Sequence, residues 1–374
     1  MGILGFAFAA ALATSGLLAF PVRRLVLCFG IVDRPNARSS HHVPIPRAGG
    51  LAIVLGIAVT IPVLVPLDLN AAGVGLLIAV VTAPSFLDDI RGLSFKTRLV
   101  AQTAAAAAVV VLIGLPVRAL DLPGASLELP SGLGMALAVL FVVASCNFFN
   151  FMDGINGLAA GQAALTGATL SAILHRAGCG PAAVVAAAVA GAAAGFLPHN
   201  FPAARVFMGD VGSVTLGFLL ALLSQAAHSR GGAPWTAVVL VHAAFLFDTV
   251  FTLGKRAWRG ESLVSPHREH NYQLLVRDGW SHTASTLTVL AVSAGCCAAA
   301  YLYAWSRDWI RWAALLSTAT VLTSYALAAH RRRVVLQRFT IGLRTKLGVK
   351  PRLETWERHG HTLMTPLTDR TTSG

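Results

Sequence analysis

The chain has 374 residues, of which 55% are hydrophobic and only 12% are charged, and its mean hydropathy is +0.68. A soluble protein of this length carries about twice that charged fraction, so the composition excludes an ordinary soluble enzyme. The net charge of +13 could indicate nucleic-acid binding, but its distribution along the chain is the one that sets membrane topology, and we expect no nucleic-acid partner.

Apolar windows of about 20 residues, the length needed to cross a bilayer, recur through the chain. They predict an all-α, polytopic membrane protein with about eleven transmembrane helices in residues 1–330, followed by a basic tail at 331–374. The centres of the windows lie roughly at residues 3–20, 49–66, 71–87, 100–115, 133–150, 157–174, 181–197, 211–227, 235–254, 283–304 and 308–328.

Basic residues are distributed unevenly between the segments that join these windows. If the N-terminus lies outside, only Arg118, Arg176, Arg230, Arg307 and Arg311 fall in outside segments, and every other Lys and Arg lies inside. The positive-inside rule therefore predicts an outside N-terminus and a cytoplasmic C-terminus. The dense polar clusters also fall in inside segments, which predicts chemistry at the cytoplasmic face.

The first polar cluster, "FLDDIRGLSFKTRLVAQ", ends the third window. The adjacent carboxylates of Asp88 and Asp89 would cost ~2.5–3.5 kcal/mol each at the bilayer centre, so they must lie at the interface or in a wet cavity. Neighbours on a helix point about 100° apart, and we expect one carboxylate on a metal ion and the other on a second partner. The alternative is that both end the helix and pair with the basic residues that follow, which include Lys96 and Arg98.

The second cluster, "NFFNFMDGINGLAAG", places Asn147, Asn150, Asp153 and Asn156 three residues apart at the predicted cytoplasmic end of the fifth window. Asn150 and Asp153 share one helix face. A helix stop followed by a capped restart would explain one or two of these polar groups, because Asn and Gly are ordinary cap residues. It does not explain four groups at this spacing.

The third cluster, "VFMGDVGSVTLGF", opens the eighth window with Asp210 and Ser213 beside two glycines. A helix N-terminus with free N–H groups and a carboxylate suits a metal ion bound to a phosphate. The alternative is an ordinary N-cap.

The fourth cluster, "SPHREHNYQLLVRDGWSH", lies in the longest inside loop before the C-terminal tail. His267, Arg268 and His270 are three protonatable or cationic groups within four residues, a pattern that suits a polyanion. A zinc site would need a cysteine or a third ligand nearby, which the loop lacks. A solvated loop is the alternative.

Together these clusters resemble the polyprenyl-phosphate N-acetylhexosamine-1-phosphate transferases, membrane enzymes of the glycosyltransferase family 4 type. The resemblance covers nearly the whole chain and keeps the motifs in order. "DRPNARSSHHVPIPRAGGLAI" (33–53) looks like the first motif of the family, and "FLDDIRGL" is similar to its paired-Asp motif. "NFFNFMDGINGLAAG" resembles its Asn-x-x-Asn-x-x-Asp-Gly motif, and "FMGDVGS" its Gly-Asp-x-Gly-Ser motif.

The resemblance implies a multi-pass enzyme of the bacterial inner membrane with its active site on the cytoplasmic face. The phosphate of polyprenyl (undecaprenyl) phosphate would attack the β-phosphorus of a UDP-sugar and release UMP. A two-step route through a phospho-Asp is the alternative. Both reactants carry negative charge, so catalysis would consist mostly of positioning and charge neutralisation by a metal ion and basic groups.

The resemblance also implies roles for individual residues. Asp88, Asp89, Asp153 and Asp210 would form the catalytic cleft, and Asp88 would take the proton from the lipid phosphate. Mg²⁺, for which Mn²⁺ could substitute, would be bound by Asp210, Asp88 and Asn150. Phe207 would stack on the uracil, although a core position is the alternative. The expected substrate-binding residues are Asn150, Asn147, Asn156, Phe207, Lys96, Arg98, His267, Arg268 and His270.

Two departures from the family pattern bear on the sugar. Many relatives carry Asp where this chain has Asn156. Their histidine loop often reads His-x-His-His, whereas this chain has "HREHNYQ". That form looks more like the O-antigen-initiating branch, which uses N-acetylated 6-deoxy-sugars such as N-acetylfucosamine or N-acetylquinovosamine. A member of the family that uses UDP-N-acetylglucosamine or UDP-MurNAc-pentapeptide is the alternative.

Two other classes of membrane protein are alternatives to such a transferase. A lipid-linked-sugar transporter would need charges or broken helices near mid-membrane, and we expect the span centres to be clean. A CDP-alcohol phosphotransferase would need an Asp-Gly-x-x-Ala-Arg run, and "DGINGLAAG" lacks the arginine. Membrane lipid and a second copy of the chain, as a homodimer, are further expected partners.

Overall fold

The structure, a computed structural model, describes residues 2–33, 44–66, 69–265 and 267–346, without the side chains of residues 69–71 and 332–346. Within these ranges the chain is mostly helical, as the apolar windows predict. It divides into two units, Met1–Ala329 and His330–Gly374. Most of the predicted basic tail, and residues 34–43 of the first motif, lie outside the described residues.

The described helices follow the predicted windows in chain order. They are α1 (Gly2–Cys28), α2 (Leu51–Leu64), α3 (Leu69–Arg91), α4 (Phe95–Ile113), α5 (Ser131–Phe151), α6 (Leu158–Arg176), α7 (Gly180–Asn200), α8 (Asp210–Ser229), α9 (Trp235–Val241), α10 (Ala243–Trp258), α11 (Asn271–Arg277), α12 (His282–Trp305) and α13 (Asp308–Lys346).

Fewer helices are long and apolar enough to cross a membrane than the sequence predicts. Eight of the described helices qualify, and the bent pair α9–α10 would make a ninth. α2 has only 14 residues, and α6 carries polar side chains such as Gln162, Thr166 and His175 along its length. The protein is a polytopic, helical membrane protein, and the count of eleven spans stays a prediction.

Two short antiparallel strand pairs depart from the all-α prediction. β1 (Val32–Asp33) pairs with β2 (Ile45–Pro46), and β3 (Ala119–Leu122) forms a hairpin with β4 (Ala125–Glu128). The alternating leucines around Pro-Gly in "LDLPGASLEL" are a hairpin signal that the apolar windows on either side obscure. Asp121 of β3 accepts hydrogen bonds from the backbone N–H of Trp235 (3.0 Å) and the hydroxyl of Tyr303 (3.1 Å).

Small residues bring the helices into close contact. α8 is buried over nearly its whole length and packs against α3, α5 and α6. α7 packs closely along α1, where a Cβ added at Gly191 would lie 2.1 Å from the carbonyl oxygen of Phe8. A Cβ added at Gly195 would lie 2.2 Å from the carbonyl oxygen of Leu12. In a membrane this close packing of backbones replaces the hydrophobic driving force that soluble helices use.

The expectation that the span centres are clean is wrong at the junction of α9 and α10. The two helices meet at His242 with an 80° bend. The imidazole is fully buried, and its Nε2 lies 2.9 Å from the hydroxyl of Ser224 on α8. One neutral imidazole barely changes the hydropathy of a 20-residue window, so the window average hides the break.

The α1–α7 contact gives a test of the packing. Gly195→Leu should destabilise the protein by about 1–3 kcal/mol, because the new side chain has to displace the α1 backbone. Gly75→Leu is the matched control, since nothing lies within 4 Å of its added Cβ. Thermal unfolding in detergent checks both variants, and equal unfolding temperatures for the two would contradict the described contact.

Candidate active site

Asp89 joins the end of α3 to the start of α8. Its Oδ1 accepts a hydrogen bond from the backbone N–H of Asp210 at 2.9 Å, and its Oδ2 accepts one from that of Val211 at 3.0 Å. The free N–H groups of the helix N-terminus are thus bonded by a carboxylate from another helix. The Nε of Arg47 lies 2.8 Å from Asp89 Oδ1 and pairs its charge. Asp89 therefore fixes the position of Asp210.

The residue before Asp210 is glycine for two reasons. Gly209 has φ of 75°, in the left-handed region that other residues rarely adopt. A Cβ added there would lie 2.5 Å from Asp89 Oδ2. The Gly-Asp sequence is therefore what allows the α3 carboxylate to reach the start of α8.

Arg98, on the first turn of α4, lies between two carboxylates. Its Nη1 is 2.8 Å from Asp88 Oδ2 and 2.7 Å from Asp210 Oδ2. Asp88 also accepts a hydrogen bond from the backbone N–H of Leu93. The paired aspartates thus have different partners, as their angular separation on the helix predicts: Asp88 contacts Arg98, and Asp89 contacts α8.

Arg47 is a site residue that the sequence reasoning missed. Its Nη2 lies 2.9 Å from Asp210 Oδ1, so the same guanidinium contacts two carboxylates. Burial lowers the pKa of Arg47, but attraction from Asp89 and Asp210 outweighs that effect and raises it above the usual value. The sequence signal for Arg47 is a basic residue two positions before the Gly49–Gly50 pair that leads into α2.

Backbone pairing brings the first motif to Asp210. The N–H of Phe207 donates to the carbonyl of Pro46, and the N–H of Gly49 donates to the carbonyl of Phe207, both at 2.8 Å. This pairing places Arg47 beside the start of α8. The side chain of Phe207, predicted to stack on uracil, is half-buried three residues before Asp210.

Asn150 and Asp153 are the two members of the second cluster that reach Asp210. The side-chain amide of Asn150 donates to the hydroxyl of Ser213 at 3.2 Å and also bonds Asp210. Asp153 accepts a hydrogen bond from the backbone N–H of Gly209. Burial, followed by repulsion from Asp210 and from a second nearby carboxylate, raises the pKa of Asp153 well above its ordinary range.

The other two members of this cluster have partners elsewhere. The amide of Asn147 donates to Gln102 Oε1 on α4 at 2.8 Å. The amide of Asn156 donates to the carbonyl of Pro202 at 3.0 Å. Their described contacts therefore connect helices and loops, and their predicted contact with substrate stays a prediction. Lys96 is exposed on α4 and forms no hydrogen bond or ion pair with the described residues.

The histidine loop is anchored by a residue that the sequence reasoning also missed. Glu269 pairs with Arg256 at 2.9 Å and contacts Arg259, both at the end of α10. His267 stacks on His270 with ring centroids 5.1 Å apart. Burial, then repulsion from His270 and Arg256, lowers the pKa of His267 to about 4. His267 is therefore neutral at pH 7 and does not supply the cationic charge that its position suggests.

The loop lies next to the turn that carries Asp153. The hydroxyl of Tyr272 donates to the carbonyl of Phe151 at 3.0 Å, and the ring centroids of Phe151 and His270 are 6.2 Å apart. Nη2 of Arg268 is buried without a hydrogen-bond partner among the described residues. A guanidinium nitrogen without a protein partner is a group that an anionic ligand could pair with.

All these groups lie at one end of the helix bundle, opposite the β3–β4 hairpin. The ends of α3 and α5, the starts of α4 and α8, and the loop before α11 each contribute at least one of them. Within the described residues, no group of three or more His, Cys, Asp or Glu side chains is arranged to hold a metal ion as it stands. The carboxylates are instead neutralised by arginines, in an arrangement suited to phosphate anions and cations together.

The chain is similar in sequence to known proteins across this site. The family described as "Glycosyl transferase family 4" matches residues 71–228, which include the carboxylates of α3 and α8. The decaprenyl-phosphate N-acetylglucosaminephosphotransferase of Mycobacterium tuberculosis is 33% identical over 302 residues, which cover 72% of this chain and 74% of that protein. The undecaprenyl-phosphate alpha-N-acetylglucosaminyl 1-phosphate transferase of Escherichia coli is 31% identical, over 74% of this chain and 78% of that protein.

Proposed function

Because the chain belongs to glycosyl transferase family 4, we propose that it transfers a sugar 1-phosphate from a UDP-sugar to polyprenyl phosphate and releases UMP. The observation that carries this proposal is the convergence of aspartates and arginines from α3, α4, the turn after α5, α8 and the first motif at one end of the bundle. The names of the relatives include decaprenyl or undecaprenyl phosphate and the transfer of N-acetylglucosamine phosphate.

The proposed reaction is a direct displacement. An oxygen of the lipid phosphate bonds to the β-phosphorus of the UDP-sugar, and the bond from that phosphorus to the oxygen bridging to the α-phosphorus breaks, so UMP leaves. Asp88 accepts the proton of the lipid phosphate. Because both reactants are anions, basic side chains are needed to bring them together. We propose that Arg98, Arg268 and His270 bind their phosphates; the pairing of Arg98 with two carboxylates and the buried, unpartnered nitrogen of Arg268 support this.

A divalent cation fits the donor chemistry of this site. Nη1 of Arg98 lies within 2.8 Å of carboxylate oxygens of both Asp88 and Asp210, so the space between them already holds a positively charged group. Carboxylate and amide oxygens are the ligands that Mg²⁺ accepts in proteins. We propose that Asp210, Asp88 and Asn150 hold Mg²⁺, for which Mn²⁺ can substitute. When bound, the ion would neutralise charge on the phosphoryl oxygens.

The metal requirement can be measured with purified protein, undecaprenyl phosphate and labelled UDP-sugars. EDTA should abolish UMP release and Mg²⁺ should restore it. Asp210→Asn should lower turnover at least a hundredfold even with Mg²⁺, because it removes a carboxylate from the site. Asp308→Asn is the control, since Asp308 is exposed at the start of α13 and pairs only with Arg311 among the described basic residues. Full activity in EDTA would contradict the Mg²⁺ assignment.

We also propose that the site faces the cytoplasm from the bacterial inner membrane, with the N-terminus outside and about eleven spans. The distribution of Lys and Arg supports this orientation. The polar groups of the site lie at the helix ends rather than at mid-membrane, which favours an enzyme over a transporter despite the break at His242.

Cysteine labelling tests the orientation. Leu127 in the β3–β4 hairpin is 63% exposed, and Val264 in the loop after α10 is 64% exposed, so they form a matched pair at opposite ends of the bundle. In a Cys28→Ser/Cys179→Ser background, which removes the exposed and the half-buried native thiols, Leu127→Cys should react with an impermeant thiol reagent in intact cells. Val264→Cys should react only after lysis. The reverse pattern would place the site outside, away from UDP-sugars.

We propose an N-acetylated hexosamine as the sugar. The names of the relatives support N-acetylglucosamine, and the loop "HREHNYQ" supports a 6-deoxy-sugar and a role in starting O-antigen. In this loop Tyr272 and Gln273 are occupied by hydrogen bonds to Phe151 and His270. Both amide atoms of Asn271 are buried without a partner among the described residues, so Asn271 is the residue of the loop best suited to a sugar hydroxyl.

A panel of UDP-sugars tests the role of the loop. Asn271→Ala should change the kcat/KM ratio between UDP-N-acetylglucosamine and a 6-deoxy UDP-sugar at least tenfold, because a site that pairs with a hydroxyl rejects the sugar that leaves it unpaired. Replacing residues 267–273 with a His-x-His-His loop should shift preference toward UDP-N-acetylglucosamine. The same order of preference in the wild type, the variant and the chimera would show that the loop does not select the sugar.

A further inference from the structure

A buried carboxylate on α10 lies outside the cluster at α8. Asp248 is fully buried in the bent α9–α10 pair, where an ionisable group is costly and needs partners. Its Oδ1 accepts hydrogen bonds from the backbone N–H of Asn271 at 2.9 Å and faces Nδ1 of His270 at 3.1 Å. Its Oδ2 accepts one from the hydroxyl of Tyr325 at 2.9 Å and a longer one from the N–H of Tyr272 at 3.4 Å.

These contacts determine which ring nitrogen of His270 carries hydrogen. Two backbone N–H groups and the hydroxyls of Tyr325 and, at 3.4 Å, Thr252 already donate to Asp248, so its oxygens act as acceptors. Nδ1 of His270 must therefore be the donor in the 3.1 Å contact. Among the described residues, His270 is also the only basic side chain that pairs with Asp248. The hydrogen bond to Asp248 uses Nδ1, so the Nε2 of the imidazole is the ring nitrogen that can serve a ligand.

The position of His270 is fixed relative to the proposed active site. It precedes α11 and forms a capping box there: its backbone N–H donates to Gln273 Oε1 at 3.3 Å, and the backbone N–H of Gln273 faces the imidazole. Tyr272, two residues on, bonds the carbonyl of Phe151, and a Cβ added at Gly154 would lie 2.0 Å from the Tyr272 hydroxyl. α11 is therefore held directly against the turn that carries Asp153.

We infer that Asp248 is a positioning residue that holds His270 by Nδ1, so that Nε2 is presented to a phosphate oxygen of a substrate. This inference rests on the proposed function, because the phosphate belongs either to the UDP-sugar or to the lipid phosphate. A carboxylate behind an imidazole fixes its tautomer and orientation and supports its positive charge when the ring is protonated. A charge-assisted hydrogen bond from such a ring is stronger than one between neutral groups.

A double-mutant cycle tests whether Asp248 acts through His270. His270→Ala and Asp248→Asn should each lower kcat/KM at least tenfold, and the double variant should lie within about twofold of His270→Ala. Tyr325→Phe is the matched control, because it removes one donor to Asp248 and leaves the His270 contact; its kcat/KM should stay within threefold of the wild type. A double variant at least tenfold below His270→Ala would overturn the inference.

Two further measurements separate positioning from a general effect on folding. Imidazole should restore activity to His270→Gly, and it should fail to do so in Asp248→Asn/His270→Gly. Separate titrations of UDP-sugar and undecaprenyl phosphate identify the phosphate source, as the substrate whose KM rises in both single variants. Equal rescue by imidazole with and without Asp248, or single variants with unchanged kcat and KM for both substrates, would overturn the inference.

A readout without substrate keeps this inference distinguishable from the proposed function. In protein labelled with ¹⁵N-histidine, the signals lost in His270→Ala identify His270, and its Nδ1 should show a bound hydrogen in the wild type. Asp248→Asn should shift that hydrogen towards Nε2, with an unfolding temperature close to that of the Tyr325→Phe control. If the wild type releases no UMP with any sugar but shows the hydrogen on Nδ1, the proposed transferase function is wrong and the Asp248–His270 hydrogen bond is confirmed. A hydrogen on Nε2 alone in the wild type would show that His270 Nδ1 does not donate to Asp248, and would overturn the inference.

Discussion

The gathering of carboxylates at the N-terminus of α8 is the constraint on which the rest of the site depends. Carboxylates this close repel one another strongly where water is scarce, and burial adds the cost of desolvation. The structure offsets both effects with the partial positive charge of the α8 terminus and with Arg47 and Arg98, each of which contacts two carboxylates. The first motif, α3, α4 and α8 are consequently held at one point by charge, while packing of small residues holds the helices along their length.

The sequence was sufficient to predict the helices and the acidic half of the site. Apolar windows located each long helix because a bilayer requires about 20 apolar residues to cross it. The rule that successive helical residues point about 100° apart separated the roles of Asp88 and Asp89, which do contact different partners. Helical spacing alone also joined Asn147 and Asn156 to Asn150 and Asp153, but the helix ends at Phe151 and the continuation turns towards Pro202. A periodic pattern is informative only as far as the helix that carries it continues.

The basic side chains of the site, such as Arg47 and His267, were not predictable in the same way. Arg47 lies 163 residues from Asp210 in the chain, and the backbone pairing of Pro46 with Phe207 that brings them together has no local signal. In a sequence in which every predicted inside loop contains Lys or Arg, an arginine in a loop is explained by topology before it is explained by chemistry. His267 shows the opposite error, since a histidine in a basic loop suggests charge, whereas its burial against His270 makes it neutral at pH 7. A long-range contact brings Arg47 to the site and burial removes the charge of His267, and neither effect can be predicted from the local sequence.

Asp89 and Asp248 play parallel structural parts at the two sides of the site. Each is an aspartate on one helix that accepts hydrogen bonds from two successive N–H groups at the start of another helix, and each also contacts one basic side chain, Arg47 or His270. A carboxylate used in this way does two things at once: it sets the position of the helix start and orients the basic group beside it. Asp248 could have been found from sequence by this logic, because an aspartate inside the apolar run "HAAFLFDTVFTLG" requires a partner, and the histidine loop follows it along the chain. Both sides of the proposed phosphate-binding site are thus positioned by buried aspartates, and the groups with which we expect substrate to interact are the ones these aspartates hold.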